Sequence, residues 1–239
     1  MTAARLLSLA LLGLLAACGS EAETEPPAPV ATEISEPRTL IAADLDLGTL
    51  GARIEGPQGT EVETVLSAGN REIGRMVSFV ACPENTERCV PAALPADTVY
   101  TYVHRITLAG DAEQPVDDDD AAVDGPEALD NSPSLFRTAR KALGFNGAVG
   151  YAKHEAASAL GNEDAISVSS VEDFLVWTLA DGAEWRPGTS VTFWWQSTLP
   201  PRGPEEAFLL ELDGNQATGI GPFPAEVAIG NPAGTGAAD

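Results

Sequence analysis

The stretch Ser190-Val191-Thr192-Phe193-Trp194-Trp195-Gln196-Ser197 decides the fold class. It is rich in β-branched and aromatic residues, which favour strands. Successive side chains of a strand point to opposite faces. Val191, Phe193 and Trp195 therefore form an apolar, core-facing side, and Thr192, Trp194 and Gln196 share the other. Trp194 is thus a large aromatic on the side away from the core. It is expected either under a covering loop, at a contact between units, or at the surface. In the last case Thr192, Trp194 and Gln196 are candidates for a platform that takes a glycan or a partner protein.

Working outward, the same kind of run recurs at 39–45, 51–55, 61–67, 75–82, 99–108, 134–138, 165–169, 173–179 and 207–213. Gly56-Pro57, Gly69-Asn70 and the segment 91–97 punctuate the first half. Short strands cut by such turns indicate an antiparallel sandwich or barrel. Phe174-Leu175-Val176-Trp177 is apolar on both faces, which predicts a central, buried strand. One segment breaks the pattern: residues 144–150 carry three glycines, and Lys153-His154-Glu155-Ala156-Ala157-Ser158-Ala159-Leu160 favours a short helix near 152–160. Gly161-Asn162 stops it. The expected fold is mainly β, with one or two antiparallel β-sandwich units and one helix.

An internal similarity bears on that count. Leu94-Pro95-Ala96-Asp97-Thr98-Val99-Tyr100-Thr101-Tyr102 lies over Trp185-Arg186-Pro187-Gly188-Thr189-Ser190-Val191-Thr192-Phe193 at an offset of 91 residues. That offset is about the size of one immunoglobulin-like unit. The first copy resembles the turn before the penultimate strand of fibronectin type III domains, and Phe136-Arg137-Thr138 is similar to the closing strand of that family. The resemblance covers 39–138 and implies a corner tyrosine bonded back to backbone. It predicts one sandwich unit over 39–138, a second β-rich unit over 139–225 and a flexible tail over 226–239, with one larger sandwich as the alternative.

The N-terminus has a different character. Residues 1–5 carry one positive charge, residues 6–15 are almost wholly apolar, and Ala16-Ala17-Cys18-Gly19 follow. This is the layout of a secretory signal. The apolar run is too short for a spanning helix, which needs about 20 residues. Leu15-Ala16-Ala17-Cys18 resembles the bacterial lipobox. The resemblance implies cleavage after residue 17, lipid on the Cys18 thiol and acylation of its new amine. Two or more chains make a lasting membrane anchor. Gly19, in place of Asp, points to the outer membrane, facing the periplasm or the cell surface. Residues 18–38 hold five Glu and four Pro and read as an extended tether.

The net charge is −23, and losing Arg5 with the signal leaves −24. A polyanion of this size is repelled by nucleic acid. Cys82 and Cys89, in an exported chain, predict a disulfide across a polar hairpin tip. The acidic stretch 111–130 reads as a solvated loop. Its run Asp117-Asp118-Asp119-Asp120 is a weak calcium candidate, because consecutive aspartates converge poorly on one ion.

No catalytic residue stands out. His154-Glu155 lacks the second histidine of a zinc-protease helix, since Ser158 holds that place. His104 reads as a strand-end histidine. Gly-x-Ser-x-Gly is absent. No cofactor is implied. The expectation is a lipid-anchored envelope protein that binds or supports another envelope component without catalysis. A carboxylate-based hydrolase and a purely structural lipoprotein are the alternatives.

Overall fold

The alternating runs assemble into two sheets with a shared apolar core. The computed structural model describes residues 36–57, 59–110, 135–212 and 214–225. In chain order the strands are β1 (Arg38–Leu40), β2 (Ala43–Asp44), β3 (Leu50–Arg53), β4 (Val62–Ala68), β5 (Arg71–Pro83), β6 (Tyr100–Leu108), β7 (Leu135–Thr138), β8 (Phe145–Tyr151), β9 (Ile166–Val171), β10 (Phe174–Leu179), β11 (Ser190–Ser197), β12 (Pro201–Leu212) and β13 (Asn215–Pro224). Helix α1 (Lys153–Leu160) lies between β8 and β9, and short 3-10 turns occupy Leu47–Thr49 and Pro91–Ala93. The proposed signal, Cys18, Asp117 to Asp120 and the tail beyond 225 lie outside the described residues.

The first sheet runs β1-β9-β10-β7-β12-β13 and the second β2-β8-β11-β6-β5-β3, with β4 also on β5. Neighbours are antiparallel except β2 on β8. Between the sheets lie Tyr102, Phe193 and Trp195 from the second, against Phe136, Trp177, Phe208 and Phe223 from the first. Tyr102 stacks on Trp195, and Phe136 touches Trp177, Phe193 and Phe208. Burying each such ring contributes about 1.5–3 kcal/mol. Trp177 is fully buried in the middle of its sheet, as its flanking apolar residues predict.

The division into units at 138/139 is corrected. Strand β7 pairs with β10 and β12, both later in the chain, and β6 lies between β11 and β5. Strands from both halves interleave in each sheet, so residues 39–138 cannot close by themselves. One sandwich spans β1 to β13.

The 91-residue similarity has a local cause instead. Thr98 directs both its N–H and its hydroxyl to the Pro95 carbonyl, and Thr189 does the same to the Arg186 carbonyl. One turn design is used twice, before β6 and before β11. The Tyr102 hydroxyl does not bond back to its own turn; it donates to the Leu199 carbonyl at 3.0 Å.

Two strands are absent from the sequence-based expectation, β8 and β13, and both are glycine-rich. In β13 a Cβ at Gly219 would stand 2.5 Å from Met76 Cε, and one at Gly221 would stand 2.9 Å from Phe208. Glycine suits both places because the facing side chains occupy the space and would have to shift to admit a Cβ. Helix α1 forms as expected and ends on Gly161 at φ 78°, a left-handed cap that favours glycine.

Candidate functional site

Strand β11 carries chemistry on both sides, and the two sides differ. On the core side, the Trp195 indole N–H can only donate, so His104 Nε2 accepts it, at 3.2 Å. The imidazole proton then lies on Nδ1, which donates to Ser78 Oγ at 3.0 Å. Burial lowers the His104 pKa from 6.5 to about 3, so the ring is neutral. Its ring packs on Phe208 with centroids 4.0 Å apart.

This serine–histidine pair is polarised against catalysis. A histidine that activates a serine must take the hydroxyl proton. Here the ring gives a proton to the serine, and its other nitrogen is engaged by Trp195. Ser78, His104 and Trp195 are each fully buried. They form a hydrogen-bonded link across β5, β6 and β11 that satisfies polar groups inside the core. His104 stands at the middle of β6 and not at a strand end, which corrects the sequence-based expectation.

The outer side of the same sheet holds the three residues singled out from the alternation, Thr192, Trp194 and Gln196. Antiparallel register places Trp194 opposite Val103 on β6 and Gly150 on β8. Trp194 is only 7% exposed, so of the three expected places it takes the one under a covering segment. It belongs to a second, small apolar cluster with Leu45, Phe79, Ala81, Val103 and Ala152. The cover comes from the N-terminal segment. Strand β2 pairs with β8 at one side of the sheet and β3 pairs with β5 at the other. Residues 45–49 therefore cross over β11 and β6, with Leu45 buried on Trp194's cluster and Leu50 packed beside it.

The crossing is seated by glycine and by one carboxylate. A Cβ at Gly150 would meet the Ala43 carbonyl oxygen at 1.8 Å, so β2 can lie there only over glycine. Asp44 Oδ1 accepts from Leu45 N–H at 2.9 Å and from Lys153 N–H, in the first turn of α1, at 2.8 Å. Arg53, at the far end, lies over the Phe79 ring and pairs with Glu61.

Beside Trp194 runs a row of uncharged polar side chains. Asn146 Nδ2 donates to Gln196 Oε1 at 3.1 Å, and Gln196 Nε2 donates to Thr101 Oγ1 at 3.2 Å. On Trp194's other side are buried Thr192 and its register partner Arg105, which faces Glu155 of α1 at 3.6 Å. Trp194 Nε1 and Glu155 Oε2 are buried and have no hydrogen-bond partner among the described residues.

Cys82 and Cys89 form the expected disulfide, with Cα atoms 5.7 Å apart, at the end of β5. Closing so short a loop contributes about 2.5 kcal/mol in the chain-entropy account. His154 is exposed on α1, where its carbonyl accepts from Ser158 Oγ at 3.0 Å. Among the described residues, no three His, Cys, Asp or Glu side chains are placed to share a metal ion, and no helix is long and apolar enough to cross a membrane.

Sequence reasoning missed Leu45, Asp44 and Gly150. The segment 39–45 reads as one strand, yet it divides at Ile41-Ala42, so that β1 joins one sheet and β2 the other. Ile41, at the crossing, is 94% exposed. Its exposure leaves no local trace in the sequence.

Comparison with family models, with curated proteins and with solved structures finds no match to this chain.

Proposed function

We propose that this chain is a lipid-anchored envelope protein that acts as a non-enzymatic binding module. The signal-like N-terminus ending in Leu15-Ala16-Ala17-Cys18 supports the anchor, and the bridged Cys82–Cys89 pair suits an oxidising compartment. Gly19 favours the outer membrane, with the Glu- and Pro-rich segment as a spacer. The observation that carries the binding role is the outer face of the second sheet, where Trp194 lies beside the row Asn146, Gln196 and Thr101. Concave or aromatic surfaces with a few placed polar groups are how binding modules select ligands. The buried Ser78–His104–Trp195 link, with its proton on the wrong nitrogen for catalysis, argues against a serine hydrolase.

Both halves are tested in cells. Labelled palmitate is expected on the wild-type chain and not on Cys18→Ser, which should leave the membrane fraction. A photo-crosslinking residue at position 196 is expected to capture envelope material, while one at exposed position 206 on the first sheet should capture little. Membrane retention of Cys18→Ser, or equal capture at both positions, would contradict the proposal.

A further inference from the structure

The cover over Trp194 is lightly held. Strand β2 has two residues, both exposed, and Leu45 is the buried apolar side chain of the crossing. Leu47, two residues on, is 55% exposed. Segments with few buried contacts open at a fraction of the global stability. What lies beneath is unusual for a segment's resting place. Among the described residues, Trp194 Nε1 is a donor without a partner, and Glu155 Oε2, across Thr192 and Arg105, is an acceptor without one.

These features fit one class of ligand. A hydroxyl both donates and accepts, so hydroxyl groups can serve an orphan donor and an orphan acceptor on the same face. The apolar face of a sugar ring suits an indole, and the amide and hydroxyl row Asn146–Gln196–Thr101 supplies uncharged polar contacts beside it. The chain's net charge of −23 disfavours anionic ligands.

We propose that residues 43–50 are a displaceable cover and that the sheet face beneath them binds an uncharged oligosaccharide. This rests on the binding-module proposal and adds to it the ligand class and the gate. A covered site binds more weakly by the fraction of time it is open. Opening the cover should therefore tighten binding.

The test uses the full chain, with cellohexaose and the hexamer of N-acetylglucosamine as probes. Gly150→Ala blocks the seat of β2, because the new Cβ would meet the Ala43 carbonyl. Leu45→Ser removes the buried contact without altering a sheet strand, and so serves if Gly150→Ala fails to fold. Acrylamide quenching that disappears in Trp194→Phe reports exposure of that indole. Both opened variants are expected to raise this quenching and to bind at least one sugar roughly tenfold or more tighter than wild type. Adding Trp194→Ala should abolish the gain. Unchanged quenching in folded variants would overturn the cover. Raised quenching with no gain for either sugar would overturn the ligand class, and capture of a protein by the opened variants alone would assign the face to a protein partner instead. Neither result touches the membrane anchor, which the Cys18→Ser fractionation tests separately.

Discussion

Trp194 and Trp195 are neighbours in sequence and opposites in circumstance. Trp195 faces the main core, stacks on Tyr102 and donates its N–H to His104. Trp194 faces the small outer cluster, under a crossing segment, and its N–H has no partner among the described residues. Both are nearly inaccessible, at 0% and 7% exposure. Burial alone therefore does not distinguish structure from function on this strand. Satisfaction separates these two neighbours, and since most buried polar groups are paired, an unpaired one calls for an explanation. Trp185 Nε1, in the main core, is a second indole donor without a partner among the described residues.

Alanine substitution should separate the pair most widely. Trp195→Ala is expected to cost about 3–5 kcal/mol in urea unfolding, because the surrounding rings cannot collapse into the space. Trp194→Ala should cost about 2 kcal/mol, since its cluster is small and the crossing segment can settle inward. Equal losses would erase the distinction.

The next effect is a pH dependence confined to the core side. Unfolded His104 takes up a proton near pH 6.5, while the folded ring resists until about pH 3. The unfolded state thus binds more protons between those values, and stability falls as pH drops through that window. From pH 7 to pH 5 the loss due to this group is about 2 kcal/mol. His104→Gln should unfold more easily at pH 7 and show an acid limb flatter by that amount. A parallel limb would show that His104 is not held neutral in the fold.

The smallest effect isolates the N–H groups themselves. Trp195→Phe leaves His104 Nε2 buried without its donor, at an expected cost of about 1–3 kcal/mol. Trp194→Phe removes an N–H that has no partner among the described residues and should change stability by less than about 1 kcal/mol. Thermal melts of the two variants, side by side, check this directly.

Much of the fold was legible because it is written locally. The alternation in 190–197 assigned each side chain of β11 to its correct face, including the grouping of Thr192, Trp194 and Gln196. The Cys82–Cys89 bridge and the Gly161 cap were equally readable. The glycine-rich β8 and β13 were not, because their small residues answer to distant neighbours: Met76 and Phe208 face the glycines of β13, and the Ala43 backbone faces Gly150 of β8. The repeat at 91 residues was real but marked a shared threonine turn and not a second unit. The cover over Trp194 was unreadable for a similar reason. Nothing in Ala43-Asp44-Leu45 says that this segment crosses two strands to reach its place; Gly150, over a hundred residues later, provides the seat.

Hydrogen exchange of the four indole N–H groups, followed by NMR, tests the contrast between the two faces most directly. The Trp195 and Trp177 groups, bonded to His104 Nε2 and to the Gly150 carbonyl, should exchange only on global unfolding. The Trp194 group should exchange at a much lower free energy, with little dependence on denaturant, as residues 43–50 lift from the sheet. A Trp194 indole protected to the same limit as Trp195 would contradict the account.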